Sequence, residues 1–308
     1  IADRINTINP KYFEEIFRHL SEEAQYSNNE KKAIEVVKVD STLIKISARL
    51  MQIGLKNMGR GDNKHIKYTV ALSDTPINAR VYTKPMYMSE ELALKELIQN
   101  TYLNVESIVV FDRGLQNRRT LESFSKEGIL FVTRLKEKFR HKVIKTHKII
   151  KGRITHTLTL QTDEIIELKD GDGRRVKTPF RLITAVDKKG NIITFLTNVI
   201  QLNAREITDI YRKRWEVEIF FKFVKQYLNV GRLITRTLNG ITVMMYMVLI
   251  AATLISIYKK NNKIESYKIA KIRFKNELHA QILKEIVMLC GGDVSRLEDV
   301  GFLYSLSF

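Results

Sequence analysis

Cysteine is almost missing from this chain: Cys290 is the single one among 308 residues. An intrachain disulfide is therefore impossible, as is a cysteine-based zinc site, and both absences suit a reducing cytoplasm. Four prolines are too few for a proline-rich linker, and no internal repeat or low-complexity tract is present. The six histidines are scattered, without ligand spacing. Acids are short relative to bases: 34 Asp and Glu against 52 Lys and Arg leave a net charge of +18. That balance favours a polyanionic partner, nucleic acid before an anionic membrane surface. The chain opens on Ile1 without a signal-peptide pattern, so a cytoplasmic fragment of a longer protein is expected.

What is present is enough apolar material for a sizeable core, at 44% hydrophobic residues, which excludes wholesale disorder. One apolar run, Gly240 to Tyr258, has the length of a bilayer span. Thr242, Thr253 and Ser256 interrupt it, and it reads as a buried core helix rather than a membrane anchor.

Residues 1–30 form an N-terminal segment whose helix starts at Pro10, with Asn9 as its cap. Ala33 to Asp40 is a β-branched strand expected to end on its aspartate, with Leu43 to Arg49 as a second strand or its continuation. His65 to Leu72 is a strand, and Ser89 caps a helix over Glu90 to Asn100. Val105 to Asp112 is again a strand delivering an aspartate. A helix over Thr120 to Lys126 and a strand over Ile129 to Leu135 complete 31–135. This order implies an α/β layout with a mixed sheet, whose sites lie at strand ends. Short strands separated by turns make 136–200 an antiparallel β insertion. They are Thr155–Leu160, Glu164–Leu168, Phe180–Val186 and Ile192–Asn198. Helices resume over 201–260 and form a C-terminal region over 261–308.

Within the insertion, Lys136, Lys138, Arg140 and Lys142 alternate, so one strand would carry four cations on one face. Such a ladder is suited to tracking a phosphate backbone. Asp170 to Gly173 lacks the rest of a calcium loop and reads as a turn, and Gly59 to Asp62 is too short for a phosphate loop.

The densest chemistry lies between Tyr211 and Lys225, read as one helix. Tyr211, Arg214, Glu218 and Lys225 are spaced by 3, 4 and 7 residues, offsets that share a helical face. Lys222 lies beside them. Glu216 points elsewhere, about 200° from Glu218 at 100° per residue. Asp40, Asp112 and Glu218 thus offer three carboxylates from separate elements, the donor type that Mg²⁺ takes while leaving room for phosphate oxygens. Two such ions about 3.5–4 Å apart serve phosphoryl transfer.

The pattern Tyr211, Arg214, Glu218, Lys225 resembles the Y-R-E-K signature of the IS4 family of DDE transposases. Asp40 with Ser41 and Thr42, and Val110 to Gly114 around Asp112, resemble that family's two aspartate motifs. The resemblance spans roughly residues 30 to 260 and implies an RNase H-like core interrupted by a β insertion, with flanking helices. It implies Asp40, Asp112 and Glu218 as catalytic ligands of Mg²⁺, with Mn²⁺ as a substitute. It makes Tyr211, Arg214 and Lys225 contacts to double-stranded DNA near a transposon end. Lys222 and the basic ladder join them as DNA-binding candidates, and Trp215 is placed either to stack on a displaced base or to pack in the core. It further implies cleavage at paired ends by a homodimer, commonly through hairpins, then transfer of the strands to target DNA, in a cytoplasmic, nucleoid-associated protein. A structure-selective nuclease without strand transfer, or a DNA-binding derivative without catalysis, are the alternatives.

Overall fold

The computed structural model describes residues 2–26, 34–45, 55–56, 64–135, 139–147, 157–170, 172–230, 235 and 237–295. Strand β1 (Val36–Lys45) is the hub of the sheet. It pairs antiparallel with β3 (Lys64–Leu72), which in turn pairs with β2 (Leu55–Lys56) and β4 (Pro76–Tyr82). On its other side β1 pairs parallel with β5 (Ile108–Phe111), and β5 with β6 (Leu130–Arg134). The order β4, β3, β1, β5, β6, three strands antiparallel and two parallel, is an RNase H-like core.

Both faces of these strands are covered, which is why β5 is apolar throughout and buried throughout. On one face, α6 (Trp215–Tyr227) and α7 (Leu238–Asn261) lay Val217, Phe220, Phe221, Met245 and Leu249 onto Ile44, Tyr68 and Val70. The helix α2 (Pro10–Tyr26) joins them through Phe17, and the short α1 (Ala2–Thr7) precedes it. On the other face lie α3 (Glu90–Gln99) and α4 (Arg118–Lys126). The apolar run in α7 has the length and hydropathy of a membrane span, and its buried side chains belong to this core. Thr253 and Ser256 fit there by returning their hydroxyls to the carbonyls of Leu249 and Ala252.

Two expectations need correction. First, Asp40 does not end its strand: β1 runs unbroken through Asp40 to Lys45, because Lys38 through Lys45 pair without a gap with Leu72 through His65 of β3. Second, Leu158 to Lys169 is one strand (β8) rather than two, the break in alternation being a register shift between Leu160 and Thr162. The β insertion continues the core sheet. β7 (His141–Thr146), β8, β9 (Arg175–Asp187) and β10 (Ile192–Thr197) follow one another antiparallel, and β10 bonds directly to β6. Among the described residues there is a single ten-stranded sheet.

Aromatic rings stitch core to insertion: Phe131 on β6 lies 5.8 Å from Phe111, 6.4 Å from Phe124 and 6.0 Å from Phe180 on β9. Phe131→Ala removes the ring at their centre and is expected to cost about 3–5 kcal/mol. Urea denaturation reads this as a lower midpoint at unchanged slope; an unchanged midpoint would show that the cluster closes the void.

Candidate active site

The parallel register of β1 and β5 sets the first two carboxylates. Lys38 pairs with Val110, so Asp40 and Asp112 stand two residues further along neighbouring strands. The Asp112 carboxylate accepts the Gly114 amide at 2.7 Å, and the Thr133 hydroxyl of β6 donates to its backbone carbonyl at 3.2 Å. Gly114 has no room for a side chain: a Cβ there would run into the Glu90 side chain and stand 2.9 Å from Asp112 Oδ1. The side chain of Asp40 is 17% exposed and accepts the Ser41 amide at 2.8 Å. Burial first, then the charges of Asp112 and Glu90, push its carboxyl up to about 7, against the pull of the Ser41 amide and Arg214.

Glu218 arrives from the opposite side of the groove on α6. The segment carrying it is two helices rather than one. α5 (Ala204–Arg212), opened by an Asn203–Glu206 capping box, stops before Lys213. Amides of Lys213, Arg214, Glu216 and Val217 reach back three residues, tightening the backbone before α6 begins. The turn keeps Tyr211 and Arg214 together, with the guanidinium carbon 6.0 Å from the ring centre. Arg214 then spans the groove: Nη2 donates to Glu218 Oε1 at 2.5 Å and Nη1 lies 3.6 Å from Asp40 Oδ2. An open groove is lined by Asp40, Ser41, Thr42, Glu218, Phe221, Lys222, Lys225 and Gln226.

Tyr211 packs edge-on against Phe195 of β10, 5.3 Å between ring centres. Burial pushes its hydroxyl up; Arg214 and Arg134 pull it down and Asp112 raises it. Tyr211 therefore lies within the field of Asp112. Partial burial lowers the Lys225 ammonium. Trp215 is 60% exposed and does not pack in the core. Glu216 turns away from Asp40 and pairs with Lys38.

The basic ladder is reached only in part. Lys136 and Lys138 lie outside the described residues. Arg140 and Lys142 are exposed, Lys142 on the edge strand β7 opposite Glu167. A register shift between Val143 and Lys145 sets Lys142 opposite Glu167 and Lys145 opposite Ile165, so these two lysines share a face of β7.

Sequence reading passed over Glu90, Lys38, Lys67 and Arg134. Glu90 sits in the first turn of α3, one oxygen paired with the buried Lys67 at 3.2 Å. Its other oxygen is buried and accepts no hydrogen bond among the described residues. Arg134 closes β6 beside the end of β5. The capping serine at 89 was a signal for the helix, but none told that its N-terminus abuts the Asp112 turn.

Among the described residues no three histidines, cysteines or carboxylates converge closely enough to hold one metal ion as they stand. The donor chemistry nevertheless fits a hard cation. A desolvated carboxyl, Asp40, lies in the field of Asp112 and Glu90, and Arg214 stands between it and Glu218.

Residues 31–254 match the family model described as Transposase DDE domain. The chain belongs to the DDE transposase family. Its relatives are known transposases, two of them of elements named IS4SA and IS4. A probable transposase for insertion sequence element IS5377 of Geobacillus stearothermophilus is 30% identical over 172 residues, 56% of this chain and 45% of that protein. A putative transposase for IS4SA of Synechocystis is 24% identical over 264 residues, 85% of this chain and 72% of that protein. Transposase InsG for IS4 of Escherichia coli is 25% identical over 160 residues, 49% of this chain and 34% of that protein. The IS5377 and InsG alignments span less than half of those relatives. Asp40, Asp112 and Glu218 of this DDE transposase all fall inside the matched range, as does the whole β insertion, whereas α1, α2 and α8 (Tyr267–Leu289) fall outside it.

Proposed function

We propose that this transposase cleaves double-stranded DNA at transposon ends and transfers the freed strands to target DNA. The observation that carries this reading is the groove in which Asp40 and Glu218 face each other across Arg214, with Asp112 beside Asp40. Asp40 and Asp112 would hold a divalent ion, Mg²⁺ or Mn²⁺, and Glu218 would join them. Bound there, such ions polarise the scissile phosphate and lower the proton affinity of the attacking oxygen.

The chain's own groups prepare that step. Arg214 pairs with both Asp40 and Glu218 in the free protein and has the fork geometry to grip a phosphate when DNA arrives. Moving it from carboxylates to phosphate would release Glu218 toward the aspartates. Lys222 and Lys225 line the same groove and add positive charge along the backbone path. The Tyr211 hydroxyl stays protonated and can donate to a phosphate oxygen. Trp215, exposed one residue beyond Arg214, is free to stack on a base displaced by hairpin formation. Pairing of two ends would make the working unit a homodimer in the cytoplasm, at the nucleoid.

The test is supercoiled-plasmid nicking with Mg²⁺ and the element's own ends. Joined products support transposition, cleavage without joining supports a nuclease, and binding alone would overturn catalysis. A separate measurement addresses the basic ladder. Neutralising Lys136, Lys138, Arg140 and Lys142 together is expected to flatten the salt dependence of DNA binding by up to about 0.9 per lost phosphate contact. An unchanged slope would show that this ladder does not contact the DNA backbone.

A further inference from the structure

We propose that Lys38 and Glu216 are a positioning pair that sets the rotation and height of α6 on β1, and through them the placement of Arg214 and Glu218 over Asp40. The proposal rests on the reading of Asp40 and Glu218 as parts of one metal-dependent site.

Lys38 is a lysine in an otherwise apolar stretch of a central strand, and its side chain is 3% exposed. Burying an ammonium is costly unless its donors are met. Here they are met by two elements: Nζ donates to the carbonyl of Ser73 at 2.7 Å and pairs with Glu216 Oε2 at 2.9 Å. Ser73 belongs to the turn between β3 and β4, and Glu216 to the first turn of α6. One ammonium thus joins strand, turn and helix.

Lys38 and Asp40 lie two apart on β1 and so face the same side. Their partners, Glu216 and Arg214, lie two apart at the start of α6. Two consecutive charge pairs between one strand and one helix fix both sliding along the strand and rotation about the helix axis. A single pair would leave rotation free. Rotation is what matters, because Glu216 and Glu218 project about 200° apart. With Glu216 held by Lys38, Glu218 is the carboxylate presented to Arg214 and the groove.

The start of α6 needs such an anchor. Arg214 occupies its cap position and makes no side-chain capping bond, and the backbone there is the tightened turn that follows α5. Its first turn is closed only by the short backbone bonds of Glu216 and Val217, with no capping side chain to set its direction. The same device recurs on the other face, where the buried Lys67 pairs with Glu90 in the first turn of α3 and donates to the Met88 carbonyl at 2.8 Å.

Trp215, the only tryptophan, adjoins Glu216 and reports on this turn. The experiment compares Lys38→Met, Lys38→Arg, Glu216→Ala and Lys38→Met/Glu216→Ala in the full chain. Trp215 fluorescence anisotropy is followed, and Mn²⁺ binding is measured by electron paramagnetic resonance without DNA. Each of Lys38→Met and Glu216→Ala is expected to lower Trp215 anisotropy and weaken Mn²⁺ binding about 10-fold or more, the scale of outer-shell changes at metal sites. The double variant should be no worse than the poorer single one, since both remove one coupling, and Lys38→Arg should retain most of the binding. A loss of stability alone, with anisotropy and Mn²⁺ binding unchanged below the melting transition, would overturn the pair's role. If Lys38→Met does not fold, Glu216→Ala, at a half-exposed side chain, carries the test alone. Asp40→Asn separates the two levels. Unchanged Mn²⁺ binding in it would overturn the metal reading and the pair with it. Loss in Asp40→Asn with none in Glu216→Ala would overturn the pair alone.

Discussion

Asp40→Asn is expected to raise the melting temperature of the metal-free protein at about pH 8 while abolishing metal-dependent DNA cleavage. Burial and the neighbouring charges of Asp112 and Glu90 push the Asp40 carboxyl up to about 7, from an ordinary value of 3.8. A folded-state value above the unfolded one means that the folded protein binds the proton more tightly. Stability contributed by this group is therefore greatest below about pH 4 and falls as pH rises toward 7, then stays level. At about 1.4 kcal/mol per unit, the penalty at neutral pH is roughly 2–4 kcal/mol. Asparagine carries no charge to desolvate and removes that penalty. Losing the partner at 3.6 Å costs Arg214 little, because its bond to Glu218 at 2.5 Å remains. Thermal unfolding with EDTA should show a gain of several degrees at about pH 8 and almost none at about pH 4. A variant less stable than the parent at the higher pH would show that the Arg214 pair outweighs desolvation. The expected combination, more stable and inactive, is the signature of a carboxylate held in place against its own electrostatics.

Glu218→Gln is the second large effect. It is expected to lower metal-dependent cleavage by about 10²–10³-fold or more, the scale on which removing one group that stabilises transition-state charge acts. Binding of DNA should survive, because Arg214, Lys222 and Lys225 are untouched, and loss of the negative partner frees Arg214 for phosphate. A gel-shift assay beside a nicking assay measures both quantities on one preparation. Cleavage retained in Glu218→Gln would remove Glu218 from the site. The contrast with Glu216→Ala is informative, since Glu216 lies two residues away yet belongs to the Lys38 pair. Its loss should act through metal affinity rather than by removing a ligand.

Much of the core was legible because its signals are local. The cap at Ser89 does accept the Leu92 amide, and Asn9 accepts the Lys11 amide, as their side chains allow. The β-branched runs became β1, β3 and β5 because branched side chains suit a pleated, packed surface. Reading failed where pairing overrides the local pattern. The strand was expected to end on Asp40, but cross-strand pairing of Ser41 and Thr42 with Thr69 and Tyr68 carries it straight through. The helix expected from Tyr211 to Lys225 broke at Lys213 and Arg214 without a proline or glycine to announce it.

By itself, the sequence determined the charge balance, the α/β order and the spacing of Tyr211, Arg214, Glu218 and Lys225. These follow from residue identity and from helix and strand periods, which need no partner. Only the tertiary structure decided that Arg214 stands between Asp40 and Glu218, that the charge of Glu90 bears on Asp40, and that Lys38 is buried against Glu216. Each of those is a meeting of charges separated by many residues. Whether a charged side chain is solvated, paired or strained depends on what the fold packs against it, and no local pattern encodes that.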